Sequence, residues 1–488
     1  MVSARRPDLS LPASLPDPPQ RRPERRCDVL VVGAGAAGLF AALTARGVLK
    51  ACGGERPLRA DAPDVVLLNN EPRLGLKVLV SGGGRCNLTN AHVTEHDYDT
   101  EAPHLVRRVL RGFGSESTRE FFRSRGCRLY EEPLGKVFPT SDNARHVLGV
   151  LLRAIVAANI PLIAPAEVTK LEPSGEGWRA TLAGGQAWEA RRVILATGGK
   201  SLPKTGSRGF GLEVLTRLGH DLAPAYPALT PLLLGPDSPL AGLAGLTVPA
   251  VLSLVPQDAP PERLSGKRFR PLARSAGSLL VTHRGATGPA PFDVSGSCAR
   301  ALAEGPAVAL RADFWSLGDS SGSWAPYATL PKPPGASLRP KEAPRPPTRD
   351  DFEAGARPLL ARRERSLAHA LAPRVPRSLL VALLRAADLD PTQAVKRLDA
   401  RERARLPLAL TQADLRLVGC EGYAKAEVTA GGVRMAELSP ANLESRLCAR
   451  LFCCGEVVNV TGRLGGFNFQ WAWSSGFAAG HGAAASLS

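Results

Sequence analysis

Residues 29–38 read VLVVGAGAAG, an apolar run that ends in glycines at 33, 35 and 38. Val29–Val32 has the composition of a buried strand, and the Ala- and Leu-rich stretch beyond Gly38 has that of a helix. A GxGxxG spacing alone is weak evidence; between a strand and a helix it is the fingerprint of a dinucleotide-binding turn. There Gly33 permits the sharp reversal, Gly35 lets the backbone approach a pyrophosphate, and Gly38 lets helix and strand pack closely. The helix start offers unpaired N–H groups and partial positive charge to the phosphates. An Ala/Gly-rich buried helix is the competing explanation, and the strand in front of the glycines weighs against it. A second glycine cluster, in GLKVLVSGGGRCNLTN (75–90), marks a specialised version of such a protein.

Working outward, 488 residues suffice for two or three domains. A hydrophobic fraction of 44% with 22% charged residues is ordinary for a globular protein. The apolar run Val29–Ala45 is too short for a membrane span and its glycines are explained by the turn, so no membrane partner is expected. Residues 1–26 are rich in Arg and Pro, lack the apolar centre of a signal peptide, and read as a disordered tail. The nine cysteines show no CxxC and no zinc spacing, so they read as reduced thiols of a cytoplasmic protein without a metal site. Cys453-Cys454 reads as two thiols rather than a vicinal disulfide. A net charge of +17 draws polyanions. Scarce Lys beside abundant Arg, Gly and Pro is also what GC-rich coding produces. With 5% aromatics, no stacking platform for single-stranded nucleic acid is evident.

Along the chain, Asp64–Leu68 reads as a second strand after a polar insertion at 47–64. Ala144–Ala158 reads as a helix, Glu167–Leu171 and Trp178–Leu182 as paired strands, and Ala187–Ala196 as a buried strand ending in glycines. Residues 228–329 show short apolar runs broken by Gly and Pro, which suggests a β-rich, barrel-like insert. Residues 331–347 form a Pro-rich linker. Residues 351–410 are helical in pattern and carry Arg362, Arg363, Arg365, Arg374, Arg377, Arg385, Arg397, Arg401, Arg403 and Arg405. Glu364, Asp399 and Glu402 are interleaved, which favours a solvated face over a dedicated basic surface. From Lys425 strand signals return, followed by a last helix.

VVGAGAAG, PRLGLKVLVSGGGRCNLTN, GKVFPTSD, VILATGGKSLPKTGSRGFG, PALTPL, THRGATGP, AEVTAGGV and CGEVVNVTGRLGGFNFQWAWSSG occur in this order from residue 27 to the C-terminus. In these motifs the chain resembles the BaiN/RdsA-type (YhiN-like) NAD(P)/FAD-dependent oxidoreductases. The resemblance implies an α/β fold: a Rossmann-like FAD-binding domain with a parallel sheet, interrupted by a β-barrel-like insert and a small helical domain. The expected divisions are a tail (1–26), the first part of the FAD domain (27–205), the insert (206–330), the linker (331–347), the helical domain (348–410) and a returning segment (411–488).

The resemblance also implies roles. Gly33, Gly35 and Gly38 hold the FAD pyrophosphate. Asn69 stands where an acidic residue normally bonds the adenosine ribose, with Glu71 two residues on as a substitute. Gly83, Gly84, Arg85 and Asn87 wrap the flavin side, Arg85 towards a pyrophosphate oxygen and Asn87 towards the ring edge. Thr197, Gly198 and Gly199 form a second signature. Gly455 and Glu456 form a third, with Glu456 at the ribityl hydroxyls, while Asn459 and Thr461 replace the usual acidic residues. Gly466 and Asn468 open the last helix, whose N-terminus points at the flavin's pyrimidine end. Trp471 and Trp473 read as core.

Cys86 and His283 are the candidate acids; most buried cysteines are inert and most lone histidines structural. Lys204 and Arg208 are candidates for an anionic substrate or the nicotinamide phosphates. No second GxGxxG sits in the insert, so NADH or NADPH is expected as a transient hydride donor over the flavin. The expected reaction is reduction of a carbonyl-conjugated carbon–carbon double bond, with two substrate classes open: a uridine in ribosomal RNA, engaged through the Arg-rich helices, or a small-molecule enone. An amine-type oxidase and a flavin-binding protein without catalysis are the remaining alternatives.

Overall fold

The computed structural model of the protein describes residues 25–264, 266, 268–305, 307–317, 347–361 and 363–487. The expected tail lies outside these residues except at Arg25 and Arg26, and the expected linker except at Pro347. The chain forms two compact units, one from the segment up to Tyr226 together with Glu427 onward, the other from Pro227–Ala426.

The first unit is built on β1 (Arg26–Val32), whose residues 29–31 are fully buried. Five parallel strands stand in the order Leu162–Ile163, β2 (Val65–Leu68), β1, Ala187–Leu195 and Leu451–Cys453. Parallel neighbours need a crossover, and α1 (Ala36–Ala45) supplies the one between β1 and β2. The hairpin Val168–Ser174 with Gly177–Leu182 extends the sheet antiparallel from the first half of Ala187–Leu195. The long helix Gly465–Ala485 lies on α1. A methyl on Gly476 would sit 2.5 Å from the Ala37 carbonyl oxygen, and one on Gly480 2.4 Å from that of Ala41. Small residues on this stripe thus set the closeness of the two helices. Beside it Phe40 meets Trp473 at 4.7 Å and Phe113 at 5.4 Å between ring centroids. The sheet and its last helix need the chain's end, which is why strand signals resume late in the sequence.

The second unit holds a seven-stranded sheet in the order Ala413–Asp414, Val308–Asp313, Thr247–Pro256, Ala273–Thr282, Gly285–Thr287, Leu232–Leu234 and Leu417–Cys420. Its first and last strands are separated by only Leu415 and Arg416. Helices Arg349–Leu360, Leu367–Leu371, Arg377–Ala386 and Ala400–Thr411 share one apolar core with the sheet, where Leu252 and Leu310 join Leu379, Leu383 and Leu410. Sheet and helices are therefore one unit rather than two.

Three differences from the sequence reading have physical causes. Residues 206–226 belong to the first unit, because Gly211 on helix Phe210–Arg217 lies so close to Thr197 that a methyl there would meet Thr197 Oγ1 at 2.1 Å. Residues 411–426 belong to the second, because their strands pair with Val308–Asp313 and Leu232–Leu234. The stretch 228–329, read as β-rich, also contains the 16-residue helix Pro289–Glu304. Pro289 at its start is a helix-initiating signal hidden among prolines that read as breakers.

Candidate functional site

The carboxyl ends of the parallel strands lead into the loops that carry the motifs, the place where open α/β sheets bind ligands. Gly33 leaves β1 at φ +107° and its N–H donates to the Leu68 carbonyl at 2.8 Å. A methyl there would lie 2.4 Å from the Ala196 carbonyl oxygen, and one on Gly38 1.8 Å from that of Gly33. A methyl on Gly35 would meet nothing within 4 Å. Two glycines are thus fixed by packing, while the third borders open space at the start of α1, where a pyrophosphate fits.

Asn69 spends its amide on the local fold: Oδ1 accepts from the Ala34 N–H at 3.3 Å and Nδ2 donates to the Glu71 carbonyl at 2.6 Å. The Glu71 carboxylate pairs with Arg208 at 2.5 Å. Glu71, the expected substitute for the ribose-binding acid, is thus paired with Arg208.

Gly82, Gly83 and Gly84 follow one another at φ +55°, +68° and +85°, a run of left-handed residues that glycine alone adopts without strain. A methyl on Gly83 would meet nothing within 4 Å, so this turn also presents bare backbone. Arg85 turns away from it. Its guanidinium donates to Glu132 at 2.6 Å and to the Tyr130 hydroxyl at 3.3 Å, and stacks 4.1 Å from the Phe138 centroid. Arg85, expected at a pyrophosphate oxygen, thus has Glu132 as its partner. Cys86 is fully enclosed at φ +63°, and burial pushes its thiol up to about 12. Asn87 differs from its neighbours: its Oδ1 is buried and has no hydrogen-bond partner. A methyl on Gly466 would meet that amide at 2.9 Å.

Ala196–Gly199 and Gly455–Glu456 come together around Glu456. Oε1 accepts from Ser201 Oγ and from the Thr429 N–H, both at 2.8 Å, and Oε2 accepts from Lys77 Nζ at 2.8 Å. Lys77 also donates to Ser201 Oγ at 2.7 Å. Burial pushes the Glu456 carboxyl up, but the Lys77 charge and these hydrogen bonds outweigh it and hold the pKa below its ordinary value. Gly199 leaves room for this cluster, since a methyl there would lie 2.4 Å from Thr429 Oγ1. Gly198 sits at φ +71°, and Thr197 Oγ1 is buried without a partner. Lys77, Ser201 and Thr429 were missed as site residues; all three lie inside the quoted motifs, but their pairing joins segments hundreds of residues apart.

At the start of helix Gly465–Ala485, Asn468 Oδ1 accepts from the Gly462 N–H, and its Nδ2 donates to the Gly462 and Leu464 carbonyls. Its amide therefore pins the helix entry instead of facing outward. Gln470, also missed, accepts from Thr89 at 2.6 Å and Thr118 at 3.0 Å and donates to the Phe113 carbonyl at 3.1 Å. Trp471 and Trp473 are buried, with indole N–H groups on the Gly455 and Leu88 carbonyls. Asn459 donates to Glu101.

In the second unit His283 and Arg284 form an exposed hairpin turn between Ala273–Thr282 and Gly285–Thr287. Arg363, Arg365, Arg377, Arg385, Arg397, Arg401 and Arg403 are exposed, Arg374 and Arg405 half-buried, and Arg362 lies outside the described residues. Lys204 is exposed on the turn Pro203–Thr205 of the first unit. No group of His, Cys, Asp and Glu able to hold a metal exists among the described residues, and no described helix is long and apolar enough to cross a membrane.

The residues present fit FAD. Gly35 and Gly83 leave bare backbone beside open space, and Asn87 offers a buried acceptor without a partner. The HI0933-like protein Rossmann domain family matches residues 27–482. Among curated proteins, the chain is 30% identical over 455 residues to an Escherichia coli ribosomal RNA dihydrouridine synthase, covering 93% of this chain and 97% of the relative. It is 32% identical over 456 residues to a Clostridium scindens 3-dehydro-bile acid delta(4,6)-reductase, covering 93% and 98%. A Haemophilus influenzae ribosomal RNA dihydrouridine synthase is 26% identical, with 92% and 96% covered.

Proposed function

This chain belongs to the HI0933-like Rossmann family and is an FAD-dependent oxidoreductase, and from that premise we propose that it reduces a carbon–carbon double bond conjugated to a carbonyl. The observation that carries this is the pairing of relatives matched over almost their whole length: one set is named for dihydrouridine in ribosomal RNA, the other for a bile-acid double bond. A uracil ring and a steroid enone differ in size and charge but present the same acceptor, an alkene polarised by a carbonyl. Bound FAD would accept a hydride from NADH or NADPH and pass it to the β carbon of that alkene.

The chain's own residues have defined tasks in this reading. Gly33, Gly35 and Gly38 shape the pyrophosphate turn, with Thr197, Gly198 and Gly199 facing it from the next strand. Gly83, Gly84 and Asn87 line the ring, and the helix start at Gly466 favours negative charge placed before it. Gly455 and Glu456 hold the centre of the cradle through Lys77.

Between the two substrates, ribosomal RNA is the preferred one. The +17 charge and the row of exposed arginines from Arg363 to Arg403 suit a polyanion. The test is nucleoside mass spectrometry of ribosomal RNA from cells with and without the gene. Loss of dihydrouridine on deletion, restored by the gene, supports the RNA substrate. An unchanged dihydrouridine content moves the assignment to a small-molecule enone.

A further inference from the structure

Reduction of a conjugated alkene needs a proton as well as a hydride, and the structure narrows the choice of donor. Cys86 is enclosed, with its thiol pushed up to about 12. Lys77 and Glu456 are bound to each other and to Ser201. Glu71 is held by Arg208, and Glu132 by Arg85. Glu101 accepts from the Met435 N–H and from Asn459. Among the described residues named here, the carboxyl of Glu427 is left without a partner. It is open to solvent and has no hydrogen bond or ion pair with a described residue.

Its position is fixed from both sides. Glu427 precedes strand Val428–Val433, whose Thr429 donates its N–H to Glu456 and accepts from the Lys200 and Ser201 N–H groups. Ser201 Oγ also lies 3.2 Å from the Glu427 carbonyl oxygen. Glu427 Oε2 stands 3.8 Å from where a methyl on Gly465 would be, the first residue of the long helix. The next residue, Gly466, abuts the partnerless Asn87 amide. A free acid and a free buried acceptor thus flank the same helix start.

We propose that the Glu427 carboxyl is the proton donor that completes reduction of the substrate double bond, an inference that rests on the enone-type reaction proposed above. With hydride delivered to the β carbon, the alkene electron pair moves onto the carbonyl as an enolate. The Glu427 O–H bond breaks, its proton forms the new C–H bond at the α carbon, and the carbonyl is restored. Glu427 is left as a carboxylate and regains a proton from solvent; the electrons come from NADH or NADPH by way of FAD.

The surroundings suit that cycle. Protein crowds the carboxyl although it is solvent-accessible, and this desolvation raises its pKa above the ordinary glutamate value. The helix start opposes the rise by favouring the anion. The Lys77–Glu456 ion pair, linked to this segment through Ser201 and Thr429, is internally neutralised. The upward shift favours the protonated form that a proton donor must start from.

The experiment compares wild type, Glu427→Gln and Glu427→Asp, each loaded with FAD. Flavin reduction by NADPH or NADH and its anaerobic reoxidation are timed separately, with an unmodified ribosomal RNA transcript and a steroid enone as acceptors. Infrared difference titration of the FAD-free proteins reads the carboxyl directly. The proposal expects flavin content and reduction within about twofold of wild type, reoxidation slowed about 100-fold or more in Glu427→Gln, and partial recovery in Glu427→Asp. It also expects a protonated carboxyl signal persisting above the usual carboxylate range, absent from Glu427→Gln. Equal reoxidation of Glu427→Gln and wild type, or no such signal, overturns the proposal. Failure of both acceptors to reoxidise wild type overturns instead the reaction on which it rests.

Discussion

Lys77 Nζ and Glu456 Oε2 stand 2.8 Å apart, joining the segment before the second glycine cluster to the loop after the last parallel strand. The two side chains are 25% and 19% exposed, so solvent screens them only in part. Lys77→Met leaves Glu456 largely enclosed without its cation, which is expected to cost about 3 kcal/mol of stability, less whatever solvent recovers. Urea unfolding of the FAD-free proteins measures this. The pKa of Glu456 is depressed in the fold, so its stabilisation is present above the unfolded value of about 4.3 and lost as pH falls through the folded value. The gap between wild type and Lys77→Met should therefore narrow in acid.

Gly35 and Gly38 separate binding from folding. Gly35 has extended backbone that alanine adopts (φ −78°, ψ −171°) and open space beside it. Gly35→Ala should fold with stability within about 0.5 kcal/mol of wild type and lose FAD affinity at least about tenfold, because the methyl would occupy the place proposed for the pyrophosphate. Gly38→Ala forces a methyl to 1.8 Å from the Gly33 carbonyl oxygen and should fail to fold. Thermal unfolding and flavin titration distinguish the two.

The parallel core was legible because buried strands and glycine turns are local signals: VLVVGAGAAG placed the end of β1 at Val32, the turn, and a helix behind it, while β1 begins three residues before the Val29 read. At the candidate site the sequence named residues but not their partners. Gly35 and Gly83 border open space, while Arg85 and Glu71 pair with Glu132 and Arg208. A charged side chain takes its partner from whatever the fold brings near, and sequence spacing does not encode that. The same limit hid Lys77 with Glu456, 379 positions apart, and Thr89 with Gln470.

Asn87 gives a change of opposite sign in the two states. Its Oδ1 is buried without a partner, so Asn87→Leu should leave the FAD-free protein equally stable or more stable by about 1 kcal/mol. On the proposed placement of the flavin, the loaded enzyme should lose affinity, since the ring would lose the Asn87 acceptor. Denaturant midpoints with and without FAD provide the comparison.

Cys86 should be inert. With its thiol pushed up to about 12, iodoacetamide should fail to modify it in the folded protein, and Cys86→Ala should keep turnover within about twofold of wild type. Cys127 and Cys453 are raised by burial to about 12 as well. Their folded pKa values lie above the unfolded value of about 8.5, so the stability they contribute is complete below that pH and falls as pH rises toward 12, by about 1.4 kcal/mol per pH unit for each thiol. Melting temperatures between pH 8 and pH 11 should decline about as steeply as these thiols predict, and less steeply after Cys127→Ala.

Incubating the FAD-loaded enzyme anaerobically with NADPH or NADH and an unmodified ribosomal RNA transcript, then measuring dihydrouridine by mass spectrometry, tests the central claim most directly. The account predicts dihydrouridine in proportion to nicotinamide oxidised. It is contradicted if the flavin is reduced but neither the transcript nor a steroid enone takes up its electrons.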